Sequence, residues 1–120
     1  MAFTQKRLAG ALTSGATQLG DSAAQVYAPP SSPSTTTIIK QIILCNTSGA
    51  TATASIYILP TGQTTVADAF ALFKEVSLDA KETLILNTSI VLTHPAGDKL
   101  FMVASATSSI TATVFGIEES

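Results

Sequence analysis

TTTIIKQIILCN, residues 35–46, is the stretch on which the fold turns. It is dense in β-branched residues, which sit well on a pleated surface and lose rotamer freedom in a helix. Simple alternation points Ile38, Ile42 and Leu44 one way and Ile39, Ile43 and Cys45 the other. Both faces are then apolar, which implies burial on both sides over part of the strand. Asn46-Thr47-Ser48-Gly49 follows as a turn and leads into ATATASIYIL, residues 50–59. Two strand-like runs joined by a short Asn- and Gly-containing segment read as a β-hairpin. Within the second run Tyr57 alternates with Ile56 and Ile58 and is expected to half-cover the sheet.

Working outward, strand signals recur on both sides. AAQVYA (23–28) is a short strand candidate, closed by the Pro- and Ser-rich loop 29–34,. Pro60-Thr61-Gly62 is a turn,. Residues 64–80 suit a short helix by their Ala, Leu and Glu content. They equally suit a strand with Phe70, Leu72, Val76 and Leu78 on one face, and the strand is preferred although Lys74 interrupts that face. Residues 82–87 and 89–93 read as two strands, ending at a turn that carries His94 and Pro95. Residues 99–106 and 110–118 read as the last hairpin. About eight short strands at this spacing imply an all-β fold: an antiparallel two-sheet sandwich, jelly-roll or immunoglobulin-like. One Cys and no Trp do not supply the Cys-Trp-Cys pattern of true immunoglobulin domains,. Residues 1–22 carry Gly10, Gly15 and Gly20 and few large apolar side chains. They are expected to form an extended N-terminal arm, and residues 23–120 the sandwich.

Composition narrows the function. Hydrophobic residues make up 46% of the 120 and charged residues 12%, about half the usual charged fraction. Ser and Thr supply roughly a quarter of the chain, so the surface is poorly charged and suits coverage by neighbouring chains. Net charge is −2, and the only basic pair is Lys6-Arg7. No basic stripe for nucleic acid results. No apolar run approaches the roughly 20 residues that span a bilayer, and nothing near the start reads as a signal peptide. The chain is expected to be made in the cytoplasm and not to engage a membrane.

Catalytic candidates are few. His94 is the single histidine and Cys45 the single cysteine. About fifty residues apart, they form no metal-ligand pattern, and Cys45 ends a hydrophobic strand, where a free thiol acts as a small hydrophobe. The acids Asp21, Asp68, Glu75, Asp79, Glu82, Asp98, Glu118 and Glu119 show no spacing that favours a catalytic pair,. Asn46-Thr47-Ser48 and Asn87-Thr88-Ser89 match the glycosylation acceptor pattern,; Asn at a turn explains them more simply. The expectation is no enzyme, no cofactor and no metal.

The stretches AFTQKRLAG, TQLGDSAAQVYAPP and TTTIIKQIILCNTSGATATASIYIL together resemble small virion structural proteins of tailed bacteriophages. The matching positions are Leu19-Gly20, Tyr27–Pro30, Ile42–Gly49, Gly97–Leu100 and Gly116–Glu118. The Pro- and Ser-rich loop 29–34 departs from the pattern, where a Gly-Lys turn is commoner. The resemblance implies a virion location and a capsid decoration (cement) protein that bridges neighbouring capsid subunits. Its implied partners are other virion proteins, the major capsid protein among them, and further copies of itself, a trimer favoured. It brings no active-site residues. The contact segments expected on this reading are residues 1–22 and the loop, with Phe3, Lys6, Arg7, Leu8, Leu12, Leu19, Pro29, Pro30 and Pro33 as partner contacts. The alternative is a small tail, baseplate or fibre-associated sandwich that binds host carbohydrate or a partner protein, with Tyr57, Phe70 and Phe73 as its candidate aromatics.

Overall fold

The computed structural model describes residues 3–9, 17–29, 35–60, 62–63, 65–93, 98–106 and 109–119. Among them are nine strands: β1 (Phe3–Ala9), β2 (Thr17–Gln18), β3 (Ala24–Tyr27), β4 (Thr36–Asn46), β5 (Ala52–Leu59), β6 (Ala71–Leu78), β7 (Thr83–Thr93), β8 (Lys99–Ala104) and β9 (Ile110–Glu119). A 3-10 turn, Asp68–Phe70, precedes β6.

The pairing is nested and antiparallel throughout. β1 lies on β9, β3 on β8, β4 on β7 and β5 on β6, as in one long hairpin whose bend is the β5–β6 connection. That hairpin is rolled up so that β9 also meets β4 and β8 also meets β5. Two sheets result, ordered β1-β9-β4-β7 and β3-β8-β5-β6, with β2 beside β9 on the β1 side. Counting β1 and β2 as one interrupted strand, this is the eight-stranded jelly roll.

The core lies between the sheets. Ile39, Ile42, Leu44, Leu92, Ala112 and Val114 face Ala52, Ala54, Ile56, Leu78, Leu100, Met102 and Ala104. Each fully buried Ile or Leu stabilises the fold by about 1.5–3 kcal/mol relative to exposure.

Several expectations are corrected. Asn46-Thr47-Ser48-Gly49 is not a hairpin turn, because β4 and β5 belong to different sheets and the segment arches between them. The same holds for β8 and β9. Residues 83–93 form one continuous strand, with Asn87-Thr88-Ser89 inside it. The expected N-terminal arm includes two strands of the first sheet, β1 and β2, and Leu19 is core at 3% exposure.

In β4 the two faces also differ from simple alternation. Thr37 and Ile39 are buried before Lys40, and Ile42, Leu44 and Asn46 after it. The phase changes at Lys40, an extra residue opposite β9, where Ile39 faces Gly116 and Gln41 faces Phe115. A bulge adds one residue and so reverses every side chain beyond it. The Thr88 hydroxyl donates to the Ile39 carbonyl at 2.7 Å and satisfies the acceptor beside the bulge. A second bulge sits in β6, where Phe73 faces Ile56 and Val76 faces Ala54. Glu75 is left-handed there, with φ 53, and its N–H donates to Ser55 Oγ at 2.9 Å. Phe73 therefore packs on the core with Val76, and Leu72 points out.

Candidate assembly surface

The rolled topology decides which positions remain available to a partner. Phe3, Lys6, Arg7 and Leu8 lie on β1, an edge strand whose other side is occupied by β9. Leu19 is inside the core and Pro29 is buried. Leu12, Pro30 and Pro33 lie outside the described residues, as does His94. Among the described residues, the expected contacts thus lie on the β1 edge, at Leu19 in the core and at the buried Pro29.

The outer face of the β1-β9-β4-β7 sheet is more informative. On it Ile38 stands beside Val91 and Ile43 beside Ile85, in register across β4 and β7. Ile117 continues the first row on β9. Between the two rows Gln41 Nε2 donates to Asn87 Oδ1 at 3.2 Å. Ile85 and Val91 are 53% and 55% exposed, and with Leu72 they are the exposed large hydrophobics among the described residues. Sequence reading missed them by dividing β7 into two strands. The signal was present in the uninterrupted alternation of residues 83–93.

The outer face of the other sheet is mixed, with Ser55 beside Val103 and Tyr57 beside Phe101. A cavity of about 250 Å³ there is lined by Ser55, Tyr57, Lys74, Glu75, Val103 and Ser105, among others. Tyr57 is buried, Phe73 packs against the core and Phe70 ends the 3-10 turn, so the three aromatics do not form a stacking platform. Among the described residues no three His, Cys, Asp or Glu side chains gather as metal ligands, and no helix is long and apolar enough to cross a membrane.

Two polar clusters hold the sheets together. Tyr27 Oη, on the second sheet, meets Thr37 Oγ1 at 2.7 Å and donates to Glu118 Oε2, both on the first. Burial, then the Glu118 hydrogen bond, pushes the Tyr27 phenol above its ordinary range. At the arch, Asn46 is fully buried. Its amide donates to the carbonyls of Ala50, Leu78 and Asp79 at 2.8, 3.1 and 3.1 Å. Its Oδ1 accepts from Ser48 N–H and Oγ at 3.0 and 2.7 Å. Neither acceptor-pattern Asn sits in a turn: Asn46 is buried, and Asn87 lies within β7.

No family model and no curated protein matches the sequence. A solved structure does match the jelly-roll fold. The T13 particle of infectious bursal disease virus contains a chain with TM-score 0.54 and 11% identity, matched over 98% of this chain and 30% of that one. The Gx strain of the same virus gives TM-score 0.46 at 14% identity, again over 98% of this chain and 31% of the other. The chain thus spans about a third of the length of these structures, and at such identity the likeness is one of fold.

Proposed function

We propose that this chain is a non-enzymatic structural component of a virus particle and, within that class, a decoration protein that bridges neighbouring capsid subunits. The observation that carries the reading is the outer face of the β1-β9-β4-β7 sheet, where Ile38, Ile43, Ile85 and Val91 lie in paired rows with no charged residue on β7. Faces of this kind mark protein contacts. Jelly-roll likeness to a chain of the infectious bursal disease virus particle supports the class, and the sequence resemblance to small phage virion proteins supports the narrower role. In this reading residues 1–22 serve as a contact segment beside the body 23–120, with Lys6 and Arg7 on the β1 edge. A tail- or fibre-associated binding module is the second reading, favoured by the cavity around Ser55, Tyr57 and Lys74.

The test is antibody labelling of intact particles made by the genome that encodes the chain. Label over the whole shell is the expected result. Label confined to one vertex or tail would favour the second reading, and unlabelled particles that lack the chain by mass spectrometry would overturn the virion assignment.

A further inference from the structure

Each sheet of a sandwich has two edges, and an edge presents unpaired N–H and C=O groups to any strand that fits. Three of the four edges here carry the usual protections. β1 bears Lys6 and Arg7. β3 has only four residues. β6 bears Lys74 and Glu75, the bulge at Glu75, and the Lys74–Asp68 ion pair. β7 is the exception: eleven residues, TLILNTSIVLT, with no charge and no proline.

That strand is also a palindrome in side-chain character about Thr88. Laid antiparallel on a copy of itself with Thr88 opposite Thr88, it pairs Asn87 with Ser89, Leu86 with Ile90, Ile85 with Val91, Leu84 with Leu92 and Thr83 with Thr93. Every pair matches polar with polar or apolar with apolar. The faces match as well. Ile85, Asn87, Ser89 and Val91 all point outward, while Leu84, Leu86, Ile90 and Leu92 all turn toward the core. In-register apolar pairs of this kind each add roughly 0.2–1 kcal/mol to a sheet.

From the unprotected edge and its palindrome we infer that β7 is a self-pairing strand: a second copy of this chain adds its β7 antiparallel, about a two-fold axis at Thr88. The two four-stranded paths join into one eight-stranded sheet, and the Ile38–Val91 and Ile43–Ile85 rows run on across the axis. The bulge of β7 against β4 lies at Thr88 and Ser89, beside the axis, so its bend is shared equally by both copies. Lys40, one strand in from the edge, meets its symmetry mate across three strand spacings, about 14 Å, where salt screens the repulsion. The contact is isologous and closes at two copies, which distinguishes it from the three-fold assembly that the phage resemblance implies. It does not depend on the virion reading.

The test is light scattering after size exclusion, from roughly 1 to 200 μM, because an edge contact below about 1,200 Å² is small for a specific interface. The wild-type mass is expected to rise from 12.3 kDa to twice that value. Ile85→Lys/Val91→Lys places lysine opposite lysine and is expected to raise the dimer Kd at least about tenfold while the circular dichroism spectrum is retained. An equimolar mixture with Ile85→Glu/Val91→Glu is expected to restore dimers, as heterodimers only. Leu72→Lys, on the protected edge, is expected to leave the Kd unchanged. In a Cys45→Ser background, an Asn87→Cys chain mixed with a Ser89→Cys chain is expected to form a disulfide-linked pair. A wild-type monomer at 200 μM, a trimer, or a dimer indifferent to the charge pair would overturn the inference.

Discussion

The hydroxyl of Tyr27 is the one polar atom among the described side chains that reaches from the β3 edge of one sheet to both Thr37 and Glu118 of the other. Thr37 is fully buried and Glu118 is 9% exposed, so removing the hydroxyl takes a donor from the Glu118 carboxylate and an acceptor from the Thr37 hydroxyl. Tyr27→Phe is expected to destabilise the fold by about 1–3 kcal/mol, read as a lower urea midpoint at unchanged slope. The same phenol gives a pH signature. Its folded pKa is raised above the ordinary 10.0, first by burial and then by Glu118. Above pH 10.0 the unfolded chain releases the proton while the folded chain keeps it, so the unfolded state binds fewer protons and stability falls as pH rises. The contribution is complete below that pH and is lost as pH climbs through the folded value. Its slope is at most about 1.4 kcal/mol per unit, and partial exposure of the ring reduces it. The stability gap between wild type and Tyr27→Phe is therefore expected to narrow above pH 10.0 and to stay constant between pH 7 and 9. A gap that widens with alkalinity would contradict this account.

At the scale of elements, the arch after β4 centres on the Asn46 side chain. Asn46 ties its own connection to the β6–β7 turn through Leu78 and Asp79, and Lys81 Nζ adds a bond to the Thr47 carbonyl at 2.8 Å. Asn46→Ala takes the donor from the buried Leu78 carbonyl and the part-buried Ala50 and Asp79 carbonyls at once, and is expected to cost about 2–4 kcal/mol. Asn46→Asp is expected to be no better, since a carboxylate cannot donate to those carbonyls. Urea unfolding of both variants checks this, and a loss confined to Asn46→Ala would show that volume, not donation, matters there. The arch also shows why part of the fold was legible and part was not. β-Branched density located the strands, and turn residues located most breaks. An Asn-Thr-Ser-Gly segment, however, serves a hairpin or a sheet-to-sheet arch equally well. The choice is made by distant pairing of β4 with β9 and β5 with β8, which no local signal carries. The bulges at Lys40 and Glu75 are likewise set by register with neighbours, so alternation assigned Ile38 and Leu72 to the wrong faces. Asn87-Thr88-Ser89 looks like a turn from composition alone, yet it continues β7 because Thr88 bonds to Ile39 and Asn87 to Gln41. Reading it as a break concealed the longest uncharged edge of the molecule. Of the expected contact residues in the first 22, four lie on β1, where pairing with β9 occupies one side, and Leu19 lies in the core.

For the whole molecule, the nested pairing brings the first and last described strands, β1 and β9, together. Phe3 and Glu119 are partners across β1 and β9, which places their Cα atoms about 5 Å apart. Contacts of such long sequence separation make jelly rolls slow to fold, because loop closure must precede the stabilisation it brings. Joining residue 120 to residue 1 turns β1 and β9 into a local hairpin. Opening the chain between Gly62 and Gln63 then disturbs little. Both residues are exposed; among the described residues Gln63 N–H donates across the cut to the Pro60 carbonyl at 3.1 Å, and the exposed Lys99 Nζ donates to the Gln63 carbonyl at 3.4 Å. Gly62 has φ 83, a conformation that a glycine near a new terminus need no longer hold,. This circular permutant is expected to keep the wild-type circular dichroism spectrum and cooperative unfolding, and to refold faster in stopped-flow dilution. The same linkage opened between Ser48 and Gly49 is expected to be markedly less stable, because that cut separates Asn46 and Ser48 from the Ala50 carbonyl they share. Unchanged refolding in the first permutant would mean that β1 joins β9 only after the rate-limiting step. The nucleus would then lie in the inner pairs β4–β7 and β5–β6, whose shorter sequence separations make them the cheaper closures.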